Sequence, residues 1–321
     1  MCERAILTPF LLCLKTIGTW GREIVRTVFI RRKTLGKKTK RTRSRALVVI
    51  ILGISSAALA DAVKSTPWLA GVTENSVYVS LEVDSTNVAV VDFGQTIGYG
   101  SQASTESTQV TDAGSGYYVH NIKLAGLQPN TQYHYKVTHG SFESSDYIFW
   151  TAPQAGTASR WGFAADSRTN ITDHNTMAGM IASHDPRMMV YGGDLCDDPT
   201  WASWDTEWFV ANQNSLNATT PFVNAAGNHE DWASLTQAYT QSPDGDGEGG
   251  NGYFSFDYGD AHILVLNNEL SYAEGEAQWN FAAADLAAST SQWKVVAFHK
   301  SAYAAGGHGE DAGTRSQSYR Q

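Results

Sequence analysis

The sequence predicts two folds in series, an all-β sandwich over residues 61–152 and an α/β domain over residues 160–321. Three observations carry this. Between residues 67 and 152 the chain is a succession of short alternating segments broken by Gly, Asn and Ser, the mark of half-buried strands joined by turns. From Arg160 onward, apolar runs alternate with stretches of helical spacing, as in a sheet flanked by helices. Five of those runs stop at acids, amides or histidines, as buried strands do when their carboxyl ends open into a site.

A chain of 321 residues, 42% of them hydrophobic, has material for more than one core. Its charge is unevenly spread. Residues 1–45 hold 13 Lys and Arg against Glu3 and Glu23, which leaves ten basic and thirty acidic side chains beyond them. A body this acidic is poorly suited to gripping nucleic-acid phosphates, so no such partner is expected.

Residues 1–60 read as a basic leader and signal peptide. The apolar run at 46–54 (ALVVIILGI) is short for a bilayer span, and Ala58-Leu59-Ala60 fits a small-residue cleavage site. A secreted, periplasmic or extracellular protein with no stable membrane anchor after cleavage is expected. Cys2 and Cys13 fall in the leader, so Cys196 is the only cysteine of the body and no intrachain disulfide can form there.

In the first domain, residues 76–83, 117–122 and 133–137 alternate as half-buried strands do. Residues 127–133 (LQPNTQY) resemble the tyrosine corner of a fibronectin type III domain, in which Tyr133 would bond back to the preceding turn. His120, His134 and His139 read as strand or loop residues, and the domain as a structural neighbour of the chemistry. Residues 153–159, small and polar with one proline, read as a linker.

The second domain carries the ligand-type residues. Residues 161–165 end at Asp166, and residues 188–191 pass through Gly192 and Gly193 to Asp194. Residues 221–227 end at Asn228, His229 and Glu230, residues 262–266 at Asn267 and Asn268, and residues 293–298 at His299. In an open sheet the carboxyl ends share one rim, which gathers Asp166, Asp194, Asn228, His229 and His299. Carboxylate, amide oxygen and neutral imidazole together suit hard or borderline metal ions.

Helical spacing appears at 173–183 and 273–288. Trp201, Trp204 and Trp208, three and four apart, read as a packing stripe on a helix. Residues 243–252 (PDGDGEGGNG) superficially follow a calcium loop but have Ser255 where the twelfth-place Glu belongs, so they read as a flexible loop.

The series Asp166, GGD ending at Asp194, GNHE at residues 227–230 and VAFH ending at His299 resembles the calcineurin-like metallophosphoesterases. The preceding β domain makes the purple acid phosphatase branch the nearer likeness, over residues 67–321. That resemblance implies a four-layer α/β/β/α fold, incomplete at the C-terminus. It also implies a site with two divalent or trivalent ions (Fe, Zn or Mn) that hydrolyses a small phosphorylated substrate, a phosphate monoester, with metal-activated water. By resemblance Asp194 bridges the ions, Asp166 belongs to one, and Asn228 and His299 belong to the other. His229 would protonate the leaving group, with Glu230 orienting it or facing solvent.

Three positions depart from the family's pattern. Arg168 stands where a ligand His or a Gly is usual, and could bind substrate phosphate through its fork of donors or be a plain surface Arg. Asp197 holds the place of the Tyr ligand of the purple enzymes, and is taken as a candidate ligand. The closing GHxH motif is missing, and His308 in GGHGED is assigned to the substrate cleft. Phosphodiesterase or nucleotidase activity on the same site is one alternative; a non-catalytic extracellular binding protein on this fold is another.

Overall fold

The computed structural model describes residues 63–112, 114–243 and 250–301, together with the backbone of three strands nearer the N-terminus. Those strands, β1 (Arg4–Leu7), β2 (Phe10–Trp20) and β3 (Glu23–Arg32), form an antiparallel sheet in order β1-β2-β3. They belong to a unit of their own, Met1–Ser56, and the reading of a basic leader did not foresee them. The apolar run at 46–54, the cleavage site expected after Ala60, and His308 all lie outside the described residues. Among the described residues no helix is long and apolar enough to cross a membrane.

The second unit begins with nine strands. They are β4 (Trp68–Ala70), β5 (Ser76–Val83), β6 (Val90–Gly94), β7 (Ser101–Ser104), β8 (Ser107–Val110), β9 (Tyr118–Ala125), β10 (Gln132–His139), β11 (Phe142–Glu143) and β12 (Tyr147–Trp150). Alternation sets their faces. Val77, Val79, Leu81 and Val83 of β5 meet Tyr133, Tyr135 and Val137 of β10 in one core, as period-2 strands packed face to face require. The tyrosine corner closes as its spacing predicts, the Gln128 N–H donating to the Tyr133 hydroxyl at 2.9 Å.

The chemistry-bearing half contains β13 (Trp161–Ala164), α1 (Ile171–Ala182), β14 (Met188–Tyr191), α2 (Trp201–Ser203), a π-turn (Trp204–Trp208), α3 (Ala211–Asn217), β15 (Phe222–Asn224) and α4 (Ser234–Tyr239). A hairpin of β16 (Phe254–Tyr258) and β17 (Ala261–Val265), then α5 (Ala277–Ala288) and β18 (Trp293–Ala297), follow. Strands β13, β14 and β15 are parallel neighbours, and β15 pairs in parallel with β4. One seven-stranded sheet, β13-β14-β15-β4-β5-β9-β8, therefore runs through both expected domains. Residues 153–159 cross beside it as irregular chain, tied to the β16–β17 turn by Gly156 N–H to Asp260 Oδ1 (2.7 Å).

Side-chain alternation along β14 and β15 explains the layers. Met188, Val190 and Val223 point to the core shared with Phe254, Phe256, Tyr258 and Ile263 of the hairpin. Met189, Tyr191 and Phe222 point the other way, to Trp204, Trp208, Leu216 and Tyr239 of the helical side. Helix α5 lies over the outer face of β17 and β18, its Trp279 and Leu286 lining an apolar groove with Leu264 and Val296. The order helix, sheet, sheet, helix is the four-layer fold the resemblance implied. The tryptophan stripe does pack, with Trp204 and Trp208 fully buried, but on a π-turn in which Phe209 N–H reaches Trp204 O at 3.1 Å.

Candidate metal centre

Each rim residue is presented by a strand end and a turn shaped for it. Asp166 leaves β13 in left-handed backbone (φ +54°), and Asp194 does the same after β14 (φ +55°). Non-glycine residues hold that conformation only where their surroundings impose it. Here the Asp166 N–H is tied to Gly193 O at 3.0 Å. A Cβ on Gly193 would sit 2.7 Å from the Gly227 Cα, and one on Gly227 would sit 2.2 Å from the Asp194 nitrogen. The GGD and GNHE loops thus touch backbone to backbone, which only glycine permits.

Asp194 is the hub, 2% exposed. Its Oδ1 accepts the His229 N–H at 3.2 Å and faces His299 Nε2 at 3.3 Å, while Oδ2 accepts from Arg168 Nε at 2.9 Å. Burial alone would push this carboxyl up. The bond and charge of His299, the His229 N–H and the Arg168 guanidinium outweigh burial and hold it down at about 2. His299 is oriented from behind, its Nδ1–H donating to Gly192 O at 2.7 Å. Burial would lower its pKa, but the bonds to Asp194 and Gly192 raise it. An imidazole pinned by one nitrogen to a carbonyl and presenting the other to a carboxylate is set as a metal ligand.

Two side chains have a different place from the one expected. Glu230 neither orients the His229 ring nor faces solvent. It is fully buried, and its Oε1 accepts the N–H groups of Asp194 and Gly227 (both 3.1 Å) and the Asn224 amide at 3.3 Å. Its carboxylate stitches the two loops together, and burial raises its pKa against those bonds. Asp197 does not join the ligand cluster. Its half-exposed carboxylate takes Arg168 Nη1 at 2.8 Å and faces His229 Nδ1 at 3.2 Å, and its carbonyl oxygen takes that same Nδ1–H at 2.9 Å. Asp197, not Glu230, therefore aims His229. Arg168 bridges Asp194 and Asp197, a meeting that sequence spacing does not show.

Asp166, Asp194 and His299 offer ligand atoms that all lie within 4.8 Å of one another, the one such group of His, Cys, Asp and Glu among the described residues. Two carboxylates and an imidazole suit a borderline ion such as Zn, Mn or Fe. The donors present fit one ion. Asn228 is exposed, beside His229 in the chain, at the end of the run that follows β15. Beside the cluster, Asp166, Arg168, Asn170, His174 and Tyr191 border a cavity of about 100 Å³. Asn224, whose amide reaches Glu230 Oε1, was not singled out from sequence, because it lies inside an apolar run and carries no motif.

The layered fold and this rim define a calcineurin-type metallophosphoesterase. Residues 162–319 match the calcineurin-like phosphoesterase family, and residues 66–153 match the purple acid phosphatase N-terminal domain. The chain belongs to the purple acid phosphatase-like metallophosphoesterases, whose members use a binuclear metal centre. It is 26% identical over 243 residues to purple acid phosphatase 21 of Arabidopsis thaliana, with 69% of this chain and 53% of that protein covered. It is 27% identical over 222 residues to probable inactive purple acid phosphatase 1 of the same plant, covering 57% of this chain and 36% of that protein. The chain thus spans about a third to a half of the length of these relatives. The purple acid phosphatase PPD1 of yellow lupin (Lupinus luteus) seeds shares the fold at a TM-score of 0.65 and 22% identity, covering 79% of this chain and 53% of that one.

Proposed function

We propose that this chain carries the active site of a secreted, metal-dependent phosphatase acting on small phosphate monoesters. The observation that supports it most is the convergence of Asp166, Asp194 and His299 at one rim. A bound metal, Fe, Zn or Mn, would make water a competent nucleophile near neutral pH and offset charge on the phosphoryl oxygens. The protein's own groups do the rest. Asp194 and His299 hold their donors pointed inward before any ligand arrives. The backbone of Asp197 fixes the Nδ1–H of His229, which leaves Nε2, 3.9 Å from Asp194 Oδ2, to hand a proton to a departing alkoxide. The acidic body and the leader favour an exported protein without a nucleic-acid partner.

A second reading has its own support. Arg168 lies directly on Asp194, and two of the curated relatives are named probable inactive. A chain that binds phosphorylated ligands without hydrolysing them would keep such a pair. Hydrolysis of a panel of alkyl and aryl phosphate mono- and diesters by wild type and His229→Ala separates the two. The phosphatase reading expects measurable monoester turnover. It expects His229→Ala to slow alkyl esters by roughly 10²–10⁴-fold and activated aryl esters far less, because an aryl oxide leaves without a proton. No turnover by metal-loaded wild type favours the binding protein, and greater turnover on diesters favours the phosphodiesterase alternative.

A further inference from the structure

We propose that the guanidinium of Arg168 takes the place of one of the two metal ions, so that this centre holds a single ion beside a fixed organic cation. The inference rests on the metal-dependent reading above and specifies its stoichiometry. A carboxylate that bridges two ions, through one oxygen or through both, needs lone pairs open towards each ion. Asp194 instead divides itself between an imidazole and an arginine: Oδ1 faces His299 at 3.3 Å, and Oδ2 is bonded by Arg168 Nε at 2.9 Å. The other arm of the same fork reaches Asp197 Oδ1 at 2.8 Å. Both acids on that side are thereby paired with one guanidinium, and Asp197 stands outside the cluster of Asp166, Asp194 and His299.

The backbone holds the guanidinium there. Asp166 (φ +54°) and Thr169 (φ +77°) flank Arg168 in left-handed conformation, which for β-branched Thr169 is a strained state that neighbouring structure must impose. The Arg168 N–H points at Asp194 O (3.4 Å) and the Asn170 N–H at Arg168 O (3.0 Å), so the loop delivers the side chain onto Asp194. Arginine does not shed its proton to make room for a metal. A second divalent ion at Oδ2 would face a permanent positive charge within contact distance, with Asp194 Oδ2 and Asp197 Oδ1 already bonded to it. Among the described residues the only side-chain bonds of the fork are those of Nε and Nη1, which leaves Nη2 to take a phosphoryl oxygen.

Titration of the full chain with Mn(II), followed by calorimetry and by the EPR signal of free Mn(II), tests this directly. Wild type is expected to bind one ion per chain. Arg168→Ala, which removes the cation without adding a ligand, is expected to bind two, and Arg168→Lys, which keeps a cation, to stay at one. Should the alanine variant lose its native circular dichroism, Arg168→Gln replaces it with the same expectation of two. Two ions in wild type would overturn the inference and leave the phosphatase reading standing. One ion in wild type and in the folded neutral variant would likewise overturn it. No ion in any folded variant would overturn both the inference and the metal-dependent reading.

Discussion

Asp194 and Glu82 are both buried carboxylates of the same seven-stranded sheet, one just past the end of β14 and the other inside β5. Their surroundings treat charge in opposite ways. Around Asp194 stand His299, Arg168 and a backbone N–H, and the carboxyl is held down at about 2 despite its burial. Around Glu82 stand neutral donors, Trp201 Nε1 at 2.5 Å and Tyr239 OH at 2.9 Å. There burial wins and the pKa rises. Burial alone therefore does not mark a functional acid; cationic partners that keep it ionised do. Glu82 staples the tryptophan segment to the sandwich, whereas Asp194 keeps a negative charge ready for a cation.

The largest effect should come from reversing the first half of this contrast. Asp194→Asn is expected to weaken metal binding by more than about 100-fold, beyond the 10–100-fold typical for loss of an outer partner, while Glu82→Gln leaves metal affinity unchanged. Equilibrium dialysis against Zn(II) reads both. Next in size is stability. Glu82→Ala strands the Trp201 and Tyr239 donors and should cost about 2–4 kcal/mol in urea unfolding, whereas Glu82→Gln, which keeps an acceptor, should cost well under half of that.

The pH dependence sharpens the pair further, because the slopes have opposite sign. Asp194 is depressed, so its contribution to stability is present above its ordinary value near 3.8 and is lost as pH falls towards about 2. Glu82 is raised, so its contribution is complete below about 4.5 and is lost as pH rises through its folded value. Glu82→Gln should reduce the second slope to the share left by buried Glu230 and leave the first, as read from unfolding midpoints between about pH 2 and pH 7.

The smallest effect belongs to a third arrangement. His262 is clamped between Asp285 (2.7 Å) and Asp257 (2.8 Å), with Ser255 Oγ donating to the far oxygen of Asp285. Burial works against protonation there, but the two aspartates outweigh it and raise the pKa. The stability this clamp adds is complete below about 6.5 and fades as pH rises through the folded value. Asp285→Asn should cost about 1 kcal/mol at pH 6 and less at pH 9, by thermal unfolding.

The contrast also explains what the sequence could reveal. Strand ends were legible because a buried parallel strand must be apolar and must stop, so Asp166, Asp194 and His299 declared themselves by position. Glycines that no Cβ could replace marked the loops holding them. The partners were not legible, since the meeting of Arg168 with Asp194, of Asp197 with His229, and of Glu230 with the Asp194 N–H depends on turns that carry no period. Glu82 was hidden for a related reason. Alternation puts it on the polar face of β5, and nothing local shows that residues 201–239 bury that face. The sheet that joins the two expected domains was equally hidden, because β4 pairs with β15 across some 150 residues.

The most direct test of the account compares two histidines, each set against aspartate, in the full-length chain. Mn(II) affinity should fall by more than about 100-fold in His299→Ala and stay at the wild-type value in His262→Ala, since only His299 shares a convergent donor set with Asp166 and Asp194. Wild-type Mn(II) affinity in a folded His299→Ala variant would contradict the assignment of this rim as a metal centre.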